Sequence, residues 1–157
     1  MNSYLIRCGK LLTEKKLTIA FAESATAGRM AAEFSLLPNA GEFLKGGVIC
    51  YDALIKEKHL KVSPALIEKY TPESAEVTKD AAKGLVNFME ADIHIAVTGL
   101  PSSGGSETID KPVGTMFISA IYNGNDLFDE RVLFTGKPEE IILQTISHTA
   151  KLLVRSL

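Results

Sequence analysis

The chain is poor in residues that build covalent or metal-held scaffolds. Cys8 and Cys50 are its only cysteines, too far apart for a zinc-ligand pair and too few for a disulfide framework. Both therefore read as reduced, buried small hydrophobes. The three histidines, His59, His94 and His148, have no second histidine or carboxylate at a metal-ligand interval, and no metal site is expected. Lysines and arginines form no cluster, and the net charge is -2, which excludes the basic footprint of a protein that binds nucleic acid or an anionic membrane. No eighteen apolar residues run together, and Arg7, Lys10, Glu14, Lys15 and Lys16 interrupt the start, so neither a membrane span nor a secretory leader is expected. A cytoplasmic protein is the expectation.

What remains is an ordinary globular composition. Of the 157 residues, 46% are apolar and 23% charged, enough to bury a core without staples, and residues 1–157 are expected to form a single domain. Repeats and linkers are absent; only the Gly/Ser-rich stretch 99–111 is long enough to suggest a functional or mobile loop.

Periodicity sets the order of elements. Helical spacing over 3–15 gives way to a continuous apolar run, Leu17 to Ala22, that reads as a strand. Ser24 or Thr26 can cap a helix over 26–36, which the turn Pro38-Asn39-Ala40-Gly41 ends, and Gly46 to Tyr51 reads as a second buried strand. Helices are expected over Ala53 to Leu60, from Ser63-Pro64, and from Thr71-Pro72-Glu73 to about Met89, with Glu73, Glu76 and Asp80 on the solvated face of the last. Ile93 to Thr98 is the third strand. Pro112 to Tyr122 and Leu127 to Phe134 flank Asn123-Gly124-Asn125-Asp126 and read as a hairpin, and Pro138-Glu139-Glu140 opens a final helix. This order predicts an α/β fold, a three-layer α/β/α domain around a mixed sheet of about five strands.

Three of the apolar runs empty into small, hydroxyl-bearing or polar segments: Glu23-Ser24-Ala25-Thr26-Ala27-Gly28, Tyr51-Asp52 leading toward Lys56, and Thr98-Gly99 leading into the Gly-rich loop. Ligands of α/β proteins gather at carboxyl ends of strands, so one site assembled from three segments is expected. In the first, Ser24 and Thr26 flank a helix N-terminus able to attract an anion. In the third, Gly104 and Gly105 allow close backbone approach and Lys111 supplies a charge. Tyr51 and Lys56 can both reach the crevice, and a lysine withdrawn from water can act as a neutral base. His94, between Ile93 and Ile95, is expected to be structural.

Ala22-Glu23-Ser24-Ala25-Thr26-Ala27-Gly28, Gly46-Gly47-Val48-Ile49-Cys50-Tyr51, Lys56, Thr98-Gly99 and Lys111-Pro112-Val113-Gly114-Thr115 together resemble the C-terminal domain family of the competence/damage-inducible protein CinA. The family includes nicotinamide mononucleotide amidohydrolases, which act as Ser-Lys hydrolases without metal or cofactor, turning the pyridine carboxamide into a carboxylate and releasing ammonia. The resemblance implies Lys56 as base, Tyr51 as its assistant, and Ser24, Thr26 and Thr98 lining the substrate site, to which Gly28, Gly47, Gly99, Gly104, Gly105 and Lys111 are added as expected substrate-binding positions. It also implies a Gly-Ser-Ser type segment before the second strand whose second serine is the nucleophile. Aligning on Phe43 and Gly47 puts Pro38, Asn39 and Ala40 there, so the nucleophile position is occupied by Ala40. Arginines of the family near the last helix correspond to Pro138 and Ile142, with Lys137 as a partial replacement for phosphate contact. The expectation is thus a CinA-like protein with weak or lost amidase activity toward an NMN-like small-molecule nucleotide. The alternative is a non-catalytic nucleotide- or metabolite-binding domain, or a structural one, and a homo-oligomer is expected in either case.

Overall fold

The computed structural model describes residues 2–157. Five strands form one mixed sheet in the order β2-β1-β3-β4-β5: β1 (Ile19–Glu23), β2 (Leu44–Ile49), β3 (Ile93–Gly99), β4 (Thr115–Tyr122) and β5 (Asn125–Leu133). β1 pairs parallel with β2 and with β3, whereas β4 and β5 add antiparallel strands. The helices are α1 (Ser3–Lys15), α2 (Arg29–Ser35), α3 (Ala40–Phe43), α4 (Ala53–Leu60), α5 (Pro64–Tyr70), α6 (Ala75–Phe88) and α7 (Pro138–Ser156). They cover both faces of the sheet, as the three-layer expectation required.

Side chains alternate across a strand, and here the two faces differ in bulk. Ile19, Phe21, Ile95, Val97, Met116 and Ile118 form one core with Leu12, Phe34, Ile146 and Leu153 from α1, α2 and α7. The opposite face offers Ala20, Ala22 and Ala96 to Ala81, Ala82 and Leu85 of α6. With so little side-chain volume between them, α6 lies close to the strands. Gly84 extends that economy to the next helix: a Cβ there would stand 1.9 Å from the carbonyl oxygen of Leu60, so α6 and the end of α4 meet backbone to side-chain-free backbone.

Several boundaries move. α2 begins at Arg29, three residues later than its predicted start, because residues 24–28 turn back under the helix. The Pro38–Gly41 turn continues into the single helical turn α3. β2 is an edge strand with alternating burial, and Ile49 is 57% exposed, so its Gly-Gly-Val-Ile run is not fully buried as read. Its glycines instead admit a close neighbour: a Cβ on Gly47 would meet the Phe21 carbonyl oxygen at 2.6 Å. The hairpin turns on Asn123 and Gly124 alone, both at positive φ as a two-residue turn of the primed type requires. α6 begins at Ala75, capped by Ser74, whose hydroxyl accepts from the Val77 N–H. No described helix is long and apolar enough to cross a membrane.

Gly84→Ala should lower stability by about 1–3 kcal/mol, the usual cost of forcing volume into a packed contact, despite alanine's better helix propensity. Urea denaturation followed by circular dichroism checks this.

Candidate functional site

The chain leaves β1 toward β2 on one side and returns across it to β3 on the other, so the carboxyl end of β1 is the switch point of the sheet. Three strand ends converge there. A cavity of about 190 Å³ opens between them, lined by Ser24 and Ala25 after β1, Tyr51 after β2, Glu73 ahead of α6, and Gly99 to Gly105 after β3.

The turn after β1 is organised by Glu23. As the last residue of a strand whose odd-numbered side chains face the α2 layer, it points its carboxylate under α2 and is 1% exposed. Its Oε2 accepts from Thr26 Oγ1 at 2.6 Å and from the N–H groups of Gly28 and Met30 at 3.0 Å each, and its Oε1 accepts from the Ala31 N–H at 2.7 Å. The helix start predicted to attract a ligand anion is therefore already filled from within. Neither Ser24 nor Thr26 caps α2; the N-cap position is Gly28, at φ 91°. Ser24 instead turns toward the cavity, 7% exposed.

Lys56, on the first turns of α4, is 1% exposed and reaches the same point. Its Nζ donates to Ser24 Oγ at 2.9 Å and to the Tyr51 carbonyl oxygen at 3.4 Å. No carboxylate lies within ion-pair distance of it among the described residues. Burial pulls its ammonium below the ordinary lysine range, while Cys50, Glu73 and Asp52 push back less strongly. Desolvation likewise pushes the neighbouring Cys50 thiol up. A desolvated amine beside a hydroxyl is the arrangement in which lysine can take a proton.

The remaining predicted residues divide. Gly99, Gly104 and Gly105 line the cavity, but the Gly104 and Gly105 N–H groups are held by the Glu107 carboxylate at 2.8 Å each, so this cradle too is filled from within. Tyr51 serves Lys56 through its backbone carbonyl; its phenol stands at the rim, 68% exposed. Thr26 is spent on Glu23, and Thr98, 1% exposed, pairs with Thr78 at 2.8 Å, because the odd positions of β3 share a face with the α2 layer and Thr98 faces α6. Gly28 and Gly47 serve packing: a Cβ on Gly28 would meet Ile49 Cδ1 at 2.9 Å. Lys111 does not line the cavity. Its Nζ donates to Thr71 Oγ1 at 2.6 Å, the Glu73 carbonyl at 2.7 Å and Ser106 Oγ at 2.9 Å, fastening the Gly-rich loop to the segment before α6. Lys137 is the exposed N-cap position of α7, its N–H accepted by Glu140, away from the cavity.

Ala40 is separated from the lysine by the length of a strand. It opens α3, directly before the start of β2, whereas Lys56 follows the end of β2; five residue steps of strand span about 16 Å at ~3.3 Å each. The hydroxyl facing Lys56 in this chain belongs to Ser24, 32 residues upstream. Glu73, read from sequence as part of a solvated helix face, lies ahead of α6 and lines the cavity. Its position in the Thr71-Pro72-Glu73-Ser74 turn, just before a helix cap, was the available signal. His94 is structural as expected: Nε2 shares a hydrogen bond with the Met89 carbonyl at 2.7 Å.

Over residues 2–157 the chain matches the family described as the CinA C-terminal domain. It is 35% identical over 141 residues to a CinA-like protein of Thermosipho melanesiensis, covering 89% of this chain and 35% of that protein. It is 34% identical over 149 residues to a CinA-like protein of Desulfotalea psychrophila, covering 95% of this chain and 36% of that one. The chain thus spans about a third of the length of these relatives. Among solved structures, a competence-damaged protein (CinA) superfamily protein from Escherichia coli superposes with a TM-score of 0.91 at 24% identity, covering 99% of this chain and 90% of that one. A competence/damage inducible protein from Agrobacterium tumefaciens gives 0.90 at 22% identity, with 97% and 92% covered. With the sheet order, the converging strand ends and the family match in agreement, the chain belongs to the CinA C-terminal domain family.

Proposed function

We propose that this chain is an active Ser-Lys amide hydrolase that converts the carboxamide of a nicotinamide mononucleotide-like substrate to a carboxylate and ammonia, with Ser24 as nucleophile and Lys56 as base. The observation that carries the reading is the 2.9 Å contact between a cavity-lining serine and a lysine that is fully buried without a carboxylate partner. A lysine placed for stability would be paired or would reach solvent.

The reaction follows from that contact. Neutral Lys56 accepts the Ser24 hydroxyl proton as Oγ attacks the carboxamide carbon, while its remaining N–H stays with the Tyr51 carbonyl. The negative charge that develops on the carboxamide oxygen needs a fixed donor. The Ala25 N–H, directly after the nucleophile, finds no acceptor among the described residues and is free to supply one. Lys56 then returns its proton to the departing amine, ammonia leaves, and the acyl group remains on Ser24. Water, deprotonated by Lys56, adds to this ester; the tetrahedral centre collapses to the acid, and Lys56 passes the proton to the departing Ser24 Oγ, restoring serine and neutral lysine together. Ala40 takes no part, and its methyl group is no obstacle to turnover.

Ser24→Ala and Lys56→Met should each reduce ammonia release from nicotinamide mononucleotide by about 10³-fold or more, whereas Ala40→Ser should change it by less than about twofold. Steady-state assays of ammonia and acid product check this; absence of turnover by the unaltered chain at high concentration overturns the proposal. Because the base must be neutral, kcat/KM should rise with pH as Lys56 loses its proton, with a midpoint below the ordinary lysine value of 10.5. The same depression works against folding. Between the lowered folded pKa and the unfolded one the unfolded chain binds more protons at this position, so stability rises with pH through that window and is lowest below it, where a charged lysine is buried. Lys56→Met should therefore raise the denaturation midpoint, more at pH 6 than at pH 10, as thermal melts at the two pH values would register.

A further inference from the structure

Among the residues that line the cavity, Glu73 is the one that carries a charge. One of its oxygens is occupied: Ser106 Oγ donates to Oε2 at 2.5 Å. The other, Oε1, has no hydrogen-bond donor among the described residues and lies against the glycine wall, 3.9 Å from where a Cβ on Gly105 would stand. Lys111 feels the charge of this carboxylate but makes no direct ion pair with it. That ammonium is committed to the Glu73 carbonyl and to the hydroxyls of Thr71 and Ser106, and among the described residues no cation comes within 4.0 Å of the carboxylate.

The usual attractors of an anion are also out of play. The N-terminal N–H groups of α2 belong to Glu23, and those of Gly104 and Gly105 belong to Glu107. What the cavity presents to an incoming group is thus the hydroxyls of Ser24, Ser102 and Ser103, the Tyr51 ring at the rim, glycine backbone, and one carboxylate with a free oxygen. Charges in such a partly desolvated space interact more strongly than they do in water.

Resting on the amidase reading above, we propose that Glu73 is a specificity residue that selects amide substrates carrying positive charge near the reactive carbonyl, of the N-alkylpyridinium carboxamide class, over neutral amides of the same shape. Its Oε1 pairs with the cationic ring while Ser106 fixes the carboxylate from behind. The choice of ring also reaches the base. Lys56 faces the thiol of Cys50 from the end of β2, Asp52 from the N-cap of α4 and Glu73 from the segment ahead of α6, and all three favour its ammonium form. A cation seated on Glu73 cancels one of those three fields, so occupancy by the correct substrate releases Lys56 toward the neutral amine.

The test compares 1-methylnicotinamide, a cation, with 3-methylbenzamide, its neutral isostere, on the full chain and on Glu73→Gln, which keeps an acceptor for Ser106. Glu73→Gln should lower the ratio of kcat/KM for the cation over the neutral amide by about tenfold relative to the unaltered chain, the scale of a charge-assisted contact, whatever part of the preference comes from the more electrophilic pyridinium amide. The acid limb of the pH profile should move to lower pH in Glu73→Gln, which a merely structural role would not produce. A ratio left unchanged by the substitution overturns the proposal. If neither compound is turned over, the amidase reading fails separately, and calorimetry on Ser24→Ala decides this one. Tighter binding of the cation, lost on adding Glu73→Gln, upholds it; equal binding of both compounds, or none, overturns it.

Discussion

A buried carboxylate at the end of β1 sets the terms for everything around it. Glu23 could not sit inside the protein unpaired, since a desolvated carboxylate without donors is among the costlier defects a fold can carry. Four donors meet it, three of them backbone N–H groups from the start of α2, and they can do so only if residues 24–28 fold back beneath the helix. That reversal takes Ser24 off the strand axis and aims it at the crevice. The helix dipole, available in many α/β proteins for holding a phosphate, is here consumed in fixing the turn that presents the serine.

The lysine is held by different means. α4 is short, and its N-cap Asp52 holds the first turn through the Leu54 N–H. Leu60 at its far end packs into the core beneath α6. Lys56 therefore arrives from a helix clamped at both ends, and its long side chain is extended through apolar surroundings to a hydroxyl. Both members of the pair are anchored by secondary structure rather than by a mobile loop, the condition under which a short contact between them persists. The Gly-rich segment that completes the cavity is anchored as well, through Lys111 and through Glu107.

Fold class could be read from the chain because its signals were local. Ile93 to Val97 is a continuous apolar run, Asn123-Gly124 demands positive φ, and Ser63-Pro64 and Pro138 mark helix starts. The edge position of β2 was not legible, since Gly-Gly-Val-Ile has the composition of a central strand and only the sheet order makes it an edge. Site residues followed the same division. Lys56, Ser24 and the glycines of the third segment could be placed near one another from their positions after strands. Their pairing could not, because it depends on how Glu23 turns the intervening backbone, and a glutamate in Ala22-Glu23-Ser24 gives no sign that it points inward. Thr26, Thr98 and Lys137 do not line the cavity for a related reason: proximity in sequence to a strand end or helix start does not fix the direction in which a side chain faces. The family pattern also directed attention to Ala40, although the hydroxyl beside the lysine comes from another segment altogether.

The unequal bulk of the two sheet faces has a bearing on how such a molecule can drift over evolutionary time. Beneath α1 and α7 the interior is made of isoleucine, phenylalanine, methionine and leucine, which can exchange shape with one another while total volume is conserved. Under α6 the strands contribute Ala20, Ala22 and Ala96, the helix answers with Ala81, Ala82 and Leu85, and its Gly84 meets the Leu60 backbone, leaving less volume to trade. Substitutions should therefore accumulate on the first side and be resisted on the second, so that the α6 layer is the more slowly changing half of the protein for reasons of geometry, before any demand of chemistry is added.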